Sequence, residues 1–170
     1  MTQFNPRLIL ETLSQHGVEY VVVGGIGGTL HGAPLLTDDV DIVPALKKTN
    51  LDSLANALQD MKAKLLTAEN PEGVEVEVTG KRLQKWIVDF AFLSLLTEYG
   101  QLDLIYRPSG TAGYQELSAN SEVLELGDVE VRVAALEDII RSKQAAGRET
   151  DLQQLPTLRM LLERKQRGSP

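Results

Sequence analysis

The sequence predicts an α+β fold, a single domain whose mixed β-sheet is flanked by helices. Three observations predict it. Segments of helical period and segments of strand length are intermixed along the chain, one pair of short apolar segments reads as a hairpin, and neither an internal repeat nor a linker interrupts them. The 170 residues fit one domain, and a hydrophobic share of 42% supplies its core. The expected domain is 1–166, with a core over about 18–133, a helical part over about 135–166, and a flexible tail over 167–170.

The elements follow in order. Residues 6–15 place Leu8, Ile9 and Leu13 on one helical face, Pro6 suits a first helical turn, and Gly17 ends the helix. Residues 19–23 are a strand-length run closed by Gly24-Gly25. A short helix over 26–31 and a loop over 33–37 lead to a second strand, 40–43, flanked by Asp39 and ended by Pro44. Residues 51–61 are a helix, with Asn50 or Asp52 as its cap. Alternating Val and Glu over 74–78 predicts a strand with one wet face. A helix is expected over 81–86, while 87–97 is ambiguous between helix and strand, with strand favoured in its second half. A strand over 102–106 and a short helix over 110–120 come next. Residues 123–126 and 129–133 form the hairpin around Gly127-Asp128. A helix over 135–146 ends at Gly147. A last helical region spans about 150–165, broken in two if Pro156 acts as it commonly does.

Composition excludes several chemistries. There are no cysteines, hence no disulfides, thiolate catalysis or Cys-type metal centres, and two histidines make a His-rich site a poor expectation. A divalent ion would need oxygen ligands, which points to Mg²⁺, with Mn²⁺ as its substitute. The net charge of −7 gives no general attraction to nucleic acid, and DNA is not an expected partner. The first residues lack a signal-peptide pattern, and no apolar stretch reaches the ~18 residues of a membrane span. A cytoplasmic protein without membrane contact is expected.

The chemistry is concentrated in 21–44, VVVGGIGGTLHGAPLLTDDVDIVP. Gly24 and Gly25 let the backbone approach an anion closely at the start of a helix, where free N–H groups favour phosphate. By themselves they read more readily as a tight strand-to-helix turn. Asp39 and Asp41 then project from one face of their strand while Val40 and Ile42 take the other. Paired carboxylates on a half-buried strand call for a cation, and two Mg²⁺ ions roughly 3.5–4 Å apart are a known arrangement for in-line attack on a phosphate. Asp38 has the wrong parity for the site. A third carboxylate is expected from Asp103, at the centre of an apolar strand where a lone charge would be costly. Asp89, in Val88-Asp89-Phe90, is its rival.

Gly24-Gly25, a spacer, and Asp39-Val40-Asp41 between apolar residues resemble the signature of the DNA polymerase β-type nucleotidyltransferase superfamily. The resemblance implies NMP transfer from an NTP, metal on Asp39, Asp41 and Asp103, and phosphate on the Gly24-Gly25 amides. The stretch 133–140, followed by Lys143, Gly147-Arg148 and Asp151, is similar to the C-terminal half of bacterial nucleotidyltransferases related to abortive-infection toxins. It implies that Lys143 and Asp151 lie near the NTP, with Arg148 a phosphate contact. Gly25 stands where many relatives have Ser, and the chain is shorter and more acidic than many of the toxins; both leave the acceptor open.

Plainer readings stand beside these. Lys143 fits a snorkelling surface residue, and Arg148 with Asp151 fits a helix salt bridge. His31 fits a helix end, Trp86 and Tyr99 fit the core or its rim, and Arg159, Arg164, Lys165 and Arg167 fit a solvated helix end or an RNA contact. The function expected first is Mg²⁺-dependent nucleotidyl transfer to an acceptor hydroxyl, the most concrete version being a toxin that acts on the tRNA 3′ end and pairs with an antitoxin protein. The alternatives are an antibiotic nucleotidyltransferase of the aminoglycoside type, with an acidic acceptor pocket, and a non-catalytic nucleotide- or partner-binding protein on the same fold.

Overall fold

The computed structural model describes residues 3–168; of the tail expected over 167–170, residues 169 and 170 lie outside the described residues. The elements are α1 (Pro6–Gln15), β1 (Tyr20–Val23), α2 (Gly24–Leu30), β2 (Asp39–Pro44), α3 (Lys48–Asp60), β3 (Lys64–Thr67), β4 (Asn70–Val74), α4 (Gly80–Asp89), β5 (Phe92–Thr97), β6 (Gly100–Ile105), α5 (Tyr114–Asn120), β7 (Glu122–Leu126), β8 (Val129–Val133), α6 (Leu136–Ala146) and α7 (Glu149–Gln166). They form one eight-stranded sheet, ordered β4-β3-β5-β6-β2-β1-β8-β7. It is mixed: β1 runs antiparallel to β2, whereas β2 runs parallel to β6 and β1 parallel to β8.

Strand parity divides the core into two layers. On one face, Val22, Val40, Ile42, Leu102 and Leu104 pack against Ile9, Leu10 and Leu13 of α1 and Leu51, Leu54 and Leu58 of α3. On the other face, Val21 and Val43 pack with Leu117, Leu136, Ile139, Leu155 and Leu158 from α5, α6 and α7. On that second face, one residue pair further along, the apolar row gives way to Val23, Asp41 and Asp103.

Several local expectations are corrected. Of the Val/Glu alternation over 74–78 only Val74 lies in a strand, as the last residue of β4. The hairpin lies earlier, β3 with β4, and residues 75–79 run on without ladder pairing, though Val78 is buried. The helix expected over 81–86 continues to Asp89, so that only 92–97 of the ambiguous stretch is strand. The strand expected over 102–106 ends at Ile105, and the helix expected over 110–120 begins only at Tyr114. Neither Asn50 nor Asp52 caps α3. Its N-cap is Lys47, without a side-chain bond. Asn50 is instead buried: its Oδ1 accepts from Glu19 N at 2.7 Å and its Nδ2 donates to Glu19 O and Ala45 O, each at 2.8 Å. It thereby ties α3 to the start of β1 and the end of β2.

Pro156 does not divide α7, which runs unbroken over 18 residues. The carbonyl that loses its donor belongs to Leu152, which, like Pro156, is exposed, so water can satisfy it and the usual helix-breaking cost is reduced.

Candidate active site

Register assembles the site. Asp41 is paired with Asp103 across β2 and β6, and Asp103 with Ser94 across β6 and β5. Directly paired residues project from the same face, which places Asp41, Asp103 and Ser94 in one row, with Asp39 two residues before Asp41. Carboxylate oxygens of Asp39, Asp41 and Asp103 lie within 4.8 Å of one another, and all three residues are partly buried. Asp38 is exposed on the opposite parity. Asp89, the rival, is exposed at the end of α4 and is not part of the cluster.

Each carboxylate is held from the side. Thr37 Oγ1 donates to Asp39 Oδ1 at 2.8 Å. Gln101 Nε2 donates to Asp103 Oδ1 at 3.0 Å, and Ser94 adds a second hydrogen bond to Asp103. Asp41 packs against Gly24, which has φ +65. A Cβ on Gly24 would overlap Asp41 Oδ2 and stand 2.8 Å from Cγ, so glycine is required both by the left-handed conformation and by the carboxylate. Gly25 is restricted differently. A Cβ there would sit 2.9 Å from Thr37 Cβ and 3.0 Å from Thr37 Oγ1, so the threonine fills the space a side chain at 25 would take.

The electrostatics of the cluster are unbalanced. Burial first, then the charges of Asp39 and Asp103, push the Asp41 carboxyl from an ordinary 3.8 up to about 7, against the pull of Lys143 and Arg148. Burial also raises Asp103, opposed by the Gln101 and Ser94 hydrogen bonds. Bringing a cation to these three acids removes both their mutual repulsion and the cost of burying uncompensated charge. A hard divalent ion fits such an all-oxygen donor set.

Facing the triad across a cavity of about 450 Å³ stand Lys143, Arg148 and Asp151. Lys143 Nζ donates to Asp151 Oδ1 at 3.1 Å and Arg148 Nε to Oδ2 at 2.8 Å. The Asp151 side chain is 3% exposed and that of Lys143 only 11%, so Lys143 is not a snorkelling surface residue. Burial works to raise Asp151, but the hydrogen bonds and charges of Arg148 and Lys143 outweigh it and hold the carboxyl below its ordinary value. Gly147, at φ +64, ends α6 and turns the chain so that both cations reach one carboxylate.

Other sequence candidates take different places. His31 ends α2 and is buried, its Nε2 at 2.8 Å from Ala134 O and its Nδ1 at 2.8 Å from Lys165 Nζ. Trp86 and Tyr99 pack against the core. The basic residues of α7 are largely engaged: Lys165 lies 3.8 Å from Glu122, Arg167 lies 3.8 Å from Glu163, and Arg159 donates to Gln144 at 3.2 Å.

Sequence reasoning missed Thr37, Ser94, Gln101 and Asp138. A signal existed for two of them: Gln101 precedes Asp103 by two residues, and Ser94 interrupts the apolar run of β5. Asp138 lines the cavity with a 4%-exposed side chain, paired with Arg141 at 2.9 Å and accepting from Asn120 at 3.1 Å.

No family model and no curated protein matches the chain. Solved structures do. The lincosamide antibiotic adenylyltransferase LnuA, in its lincomycin-bound crystal structure, superposes with a TM-score of 0.61 at 16% identity, over 94% of this chain and 99% of that one. A Thermotoga maritima protein assigned as a nucleotidyltransferase superposes with a TM-score of 0.52 at 16% identity, over 92% of this chain and 89% of that one. The chain therefore has the nucleotidyltransferase fold, a mixed sheet flanked by helices.

Proposed function

We propose that the chain transfers a nucleoside monophosphate from an NTP to a hydroxyl of a small molecule, in the manner of an antibiotic-modifying nucleotidyltransferase. The observation that carries the proposal is the acid triad. Three carboxylates lie within 4.8 Å of one another without an ion-pair partner among the described residues, across a cavity from Lys143 and Arg148. Similarity to a structure that holds an antibiotic acceptor favours the small-molecule version.

Asp39, Asp41 and Asp103 would hold Mg²⁺, or Mn²⁺ in its place. The metal supplies charge neutralisation at the phosphates and polarises the phosphorus under attack. The chain's own residues do the rest. Gly24 and Gly25 admit the phosphates against backbone N–H groups. Asp103, at the edge of the row nearest the open strands, takes the proton of the acceptor hydroxyl. The acceptor oxygen forms a bond to the α-phosphorus while the bond from that phosphorus to the bridging oxygen breaks, and pyrophosphate leaves with the electron pair. Lys143 and Arg148 offset its charge, and Asp151 keeps both cations aimed.

The tRNA-directed toxin reading is weaker. The chain carries a net charge of −7, and of the basic residues at the C-terminal end Lys165 and Arg167 lie near acids and Arg159 donates to Gln144. Among the described residues no helix is long and apolar enough to cross a membrane.

The test is to incubate the protein with each α-labelled NTP, Mg²⁺, a panel of hydroxylated antibiotics and total tRNA. Label is expected on a small molecule, with the rate reduced about 10³-fold by Asp41→Ala, as loss of metal-borne stabilisation worth several kcal/mol implies. Label on tRNA would support the toxin instead. Absence of transfer together with absence of an NTP-dependent thermal shift would refute an enzymatic role.

A further inference from the structure

The cavity extends beyond the acids. Phe92 is paired with Ile105, one non-polar pair along the same sheet face from Ser94 and Asp103. Two residues along a strand span roughly 7 Å, so the ring stands within reach of anything whose hydroxyl is at Asp103. Phe92 is 57% exposed and its neighbour Phe90 48%, which leaves two of the three phenylalanines of the chain open to water. Burying such a ring removes a large apolar area from water and is favourable. Phe92 lines the cavity, and so exposed a ring on a cavity wall calls for an apolar occupant. Ala91 and Ile105 line the same cavity beside it.

Charge narrows the occupant further. Once the triad and Asp151 are set aside, the one acid on this side of the cavity is Asp138, and both its oxygens are engaged by Arg141 and Asn120. Arg107 lies on the same rim and forms no ion pair among the described residues; its backbone N–H donates to Ala91 O at 3.1 Å, which fixes it beside the apolar wall. A polycation would find no free carboxylate here and would meet a positive charge. The acidic pocket expected for an aminoglycoside is therefore not what faces the triad.

We infer that the acceptor is an amphipathic hydroxyl compound carrying at most one positive charge, its apolar body seated on Phe92, Ala91 and Ile105 and its hydroxyl directed at Asp103. Arg107 selects against polycations. The inference rests on the proposed nucleotidyl transfer, with the same bond changes: O–H lost to Asp103, O–P formed, pyrophosphate expelled.

The experiment uses the full chain with Mg²⁺ and a non-hydrolysable analogue of each of the NTPs for binding, and with the matching α-labelled NTP for transfer. The acceptor probes are lincomycin and chloramphenicol as amphipathic alcohols, and kanamycin as a polycation. Analogue binding is read first, by thermal shift; its absence defeats the nucleotidyl-transfer reading itself. With analogue bound, at least one amphipathic probe is expected to bind and accept label while kanamycin does neither. Phe92→Ala is expected to weaken that acceptor at least about tenfold, the affinity equivalent of losing about 1.4 kcal/mol of apolar contact, while affinity for the analogue stays within about twofold. Phe92→Leu, which keeps an apolar surface, should recover part of the loss. Analogue binding with label on kanamycin, or on none of the probes, overturns the inference, and so does an acceptor affinity unmoved by Phe92→Ala.

Discussion

Two buried acid clusters face each other across one cavity, and they are opposites. Asp39, Asp41 and Asp103 crowd together without a cation and Asp41 is driven up to about 7, whereas Asp151 is shared between Lys143 and Arg148 and lies below its ordinary value. A carboxylate that the protein has already neutralised does its work within the fold, by holding other side chains. Carboxylates gathered at the expense of their own ionisation are arranged for a charge that comes from outside. Both clusters contain buried acids, and only the count of cations around each tells them apart.

The comparison is broken most severely from the balanced side. Asp151→Asn leaves Lys143 buried and uncompensated, and the unfolding free energy should fall by about 3 kcal/mol, within the range for breaking a buried pair. Urea denaturation measures it. A loss under about 1 kcal/mol would mean that Lys143 is solvated rather than held. On the other side, Thr37→Val removes the hydroxyl that fixes Asp39 and keeps the shape that fills the space beside Gly25. Transfer should slow about tenfold, as for a hydrogen bond to a charged group worth about 1.5 kcal/mol, with little change in stability. An unchanged rate at saturating Mg²⁺ would show that Asp39 needs no positioning.

The smallest effect is on pH dependence. The folded-state value of Asp41 is raised, so its stabilising contribution is complete below about pH 4 and is lost as pH rises through about 7. Asp103 is shifted in the same direction, while Asp151 is lowered and costs stability only on acidification. Without Mg²⁺, the melting temperature should therefore fall by a few degrees, on the order of 3 °C, between pH 5.5 and pH 8. Asp41→Asn should flatten that slope, and Mg²⁺ should reverse it. Thermal melts at matched ionic strength decide, and a melting temperature that rises with pH in the metal-free protein would contradict the crowding of the triad.

The parts legible beforehand share a physical basis. Asp39 and Asp41 were readable as neighbours because strand period alone places them on one face. Gly24-Gly25 after Val21-Val22-Val23 was readable because a buried strand must turn into its helix there. By contrast, Lys64-Leu65-Leu66-Thr67 has no strict alternation and gives no strand signal, while 74–78 alternates yet only Val74 of it lies in a strand. Both lie at the β4 end of the sheet, where the residues of β3 and β4 are only partly buried or exposed and the hydrophobic pattern is correspondingly weak. Asn50 was mistaken for a helix cap because a short polar side chain before an apolar run reads so by default, and its burial against Glu19 and Ala45 depends on a distant strand.

The sequence by itself determined that Asp39 and Asp41 share one strand face, that cysteine chemistry is absent, and that Lys143, Arg148 and Asp151 lie on or between the helices of the C-terminal part. Only the tertiary structure decided that Asp103 rather than Asp89 joins the pair, that Thr37, Ser94 and Gln101 hold the carboxylates, and that Phe92 and Arg107 shape the far wall. Local periodicity fixes the direction a side chain takes from its own strand or helix. Which strands lie side by side, and in what register, is set by packing between residues far apart in the chain, and that information is not contained in any single stretch of it.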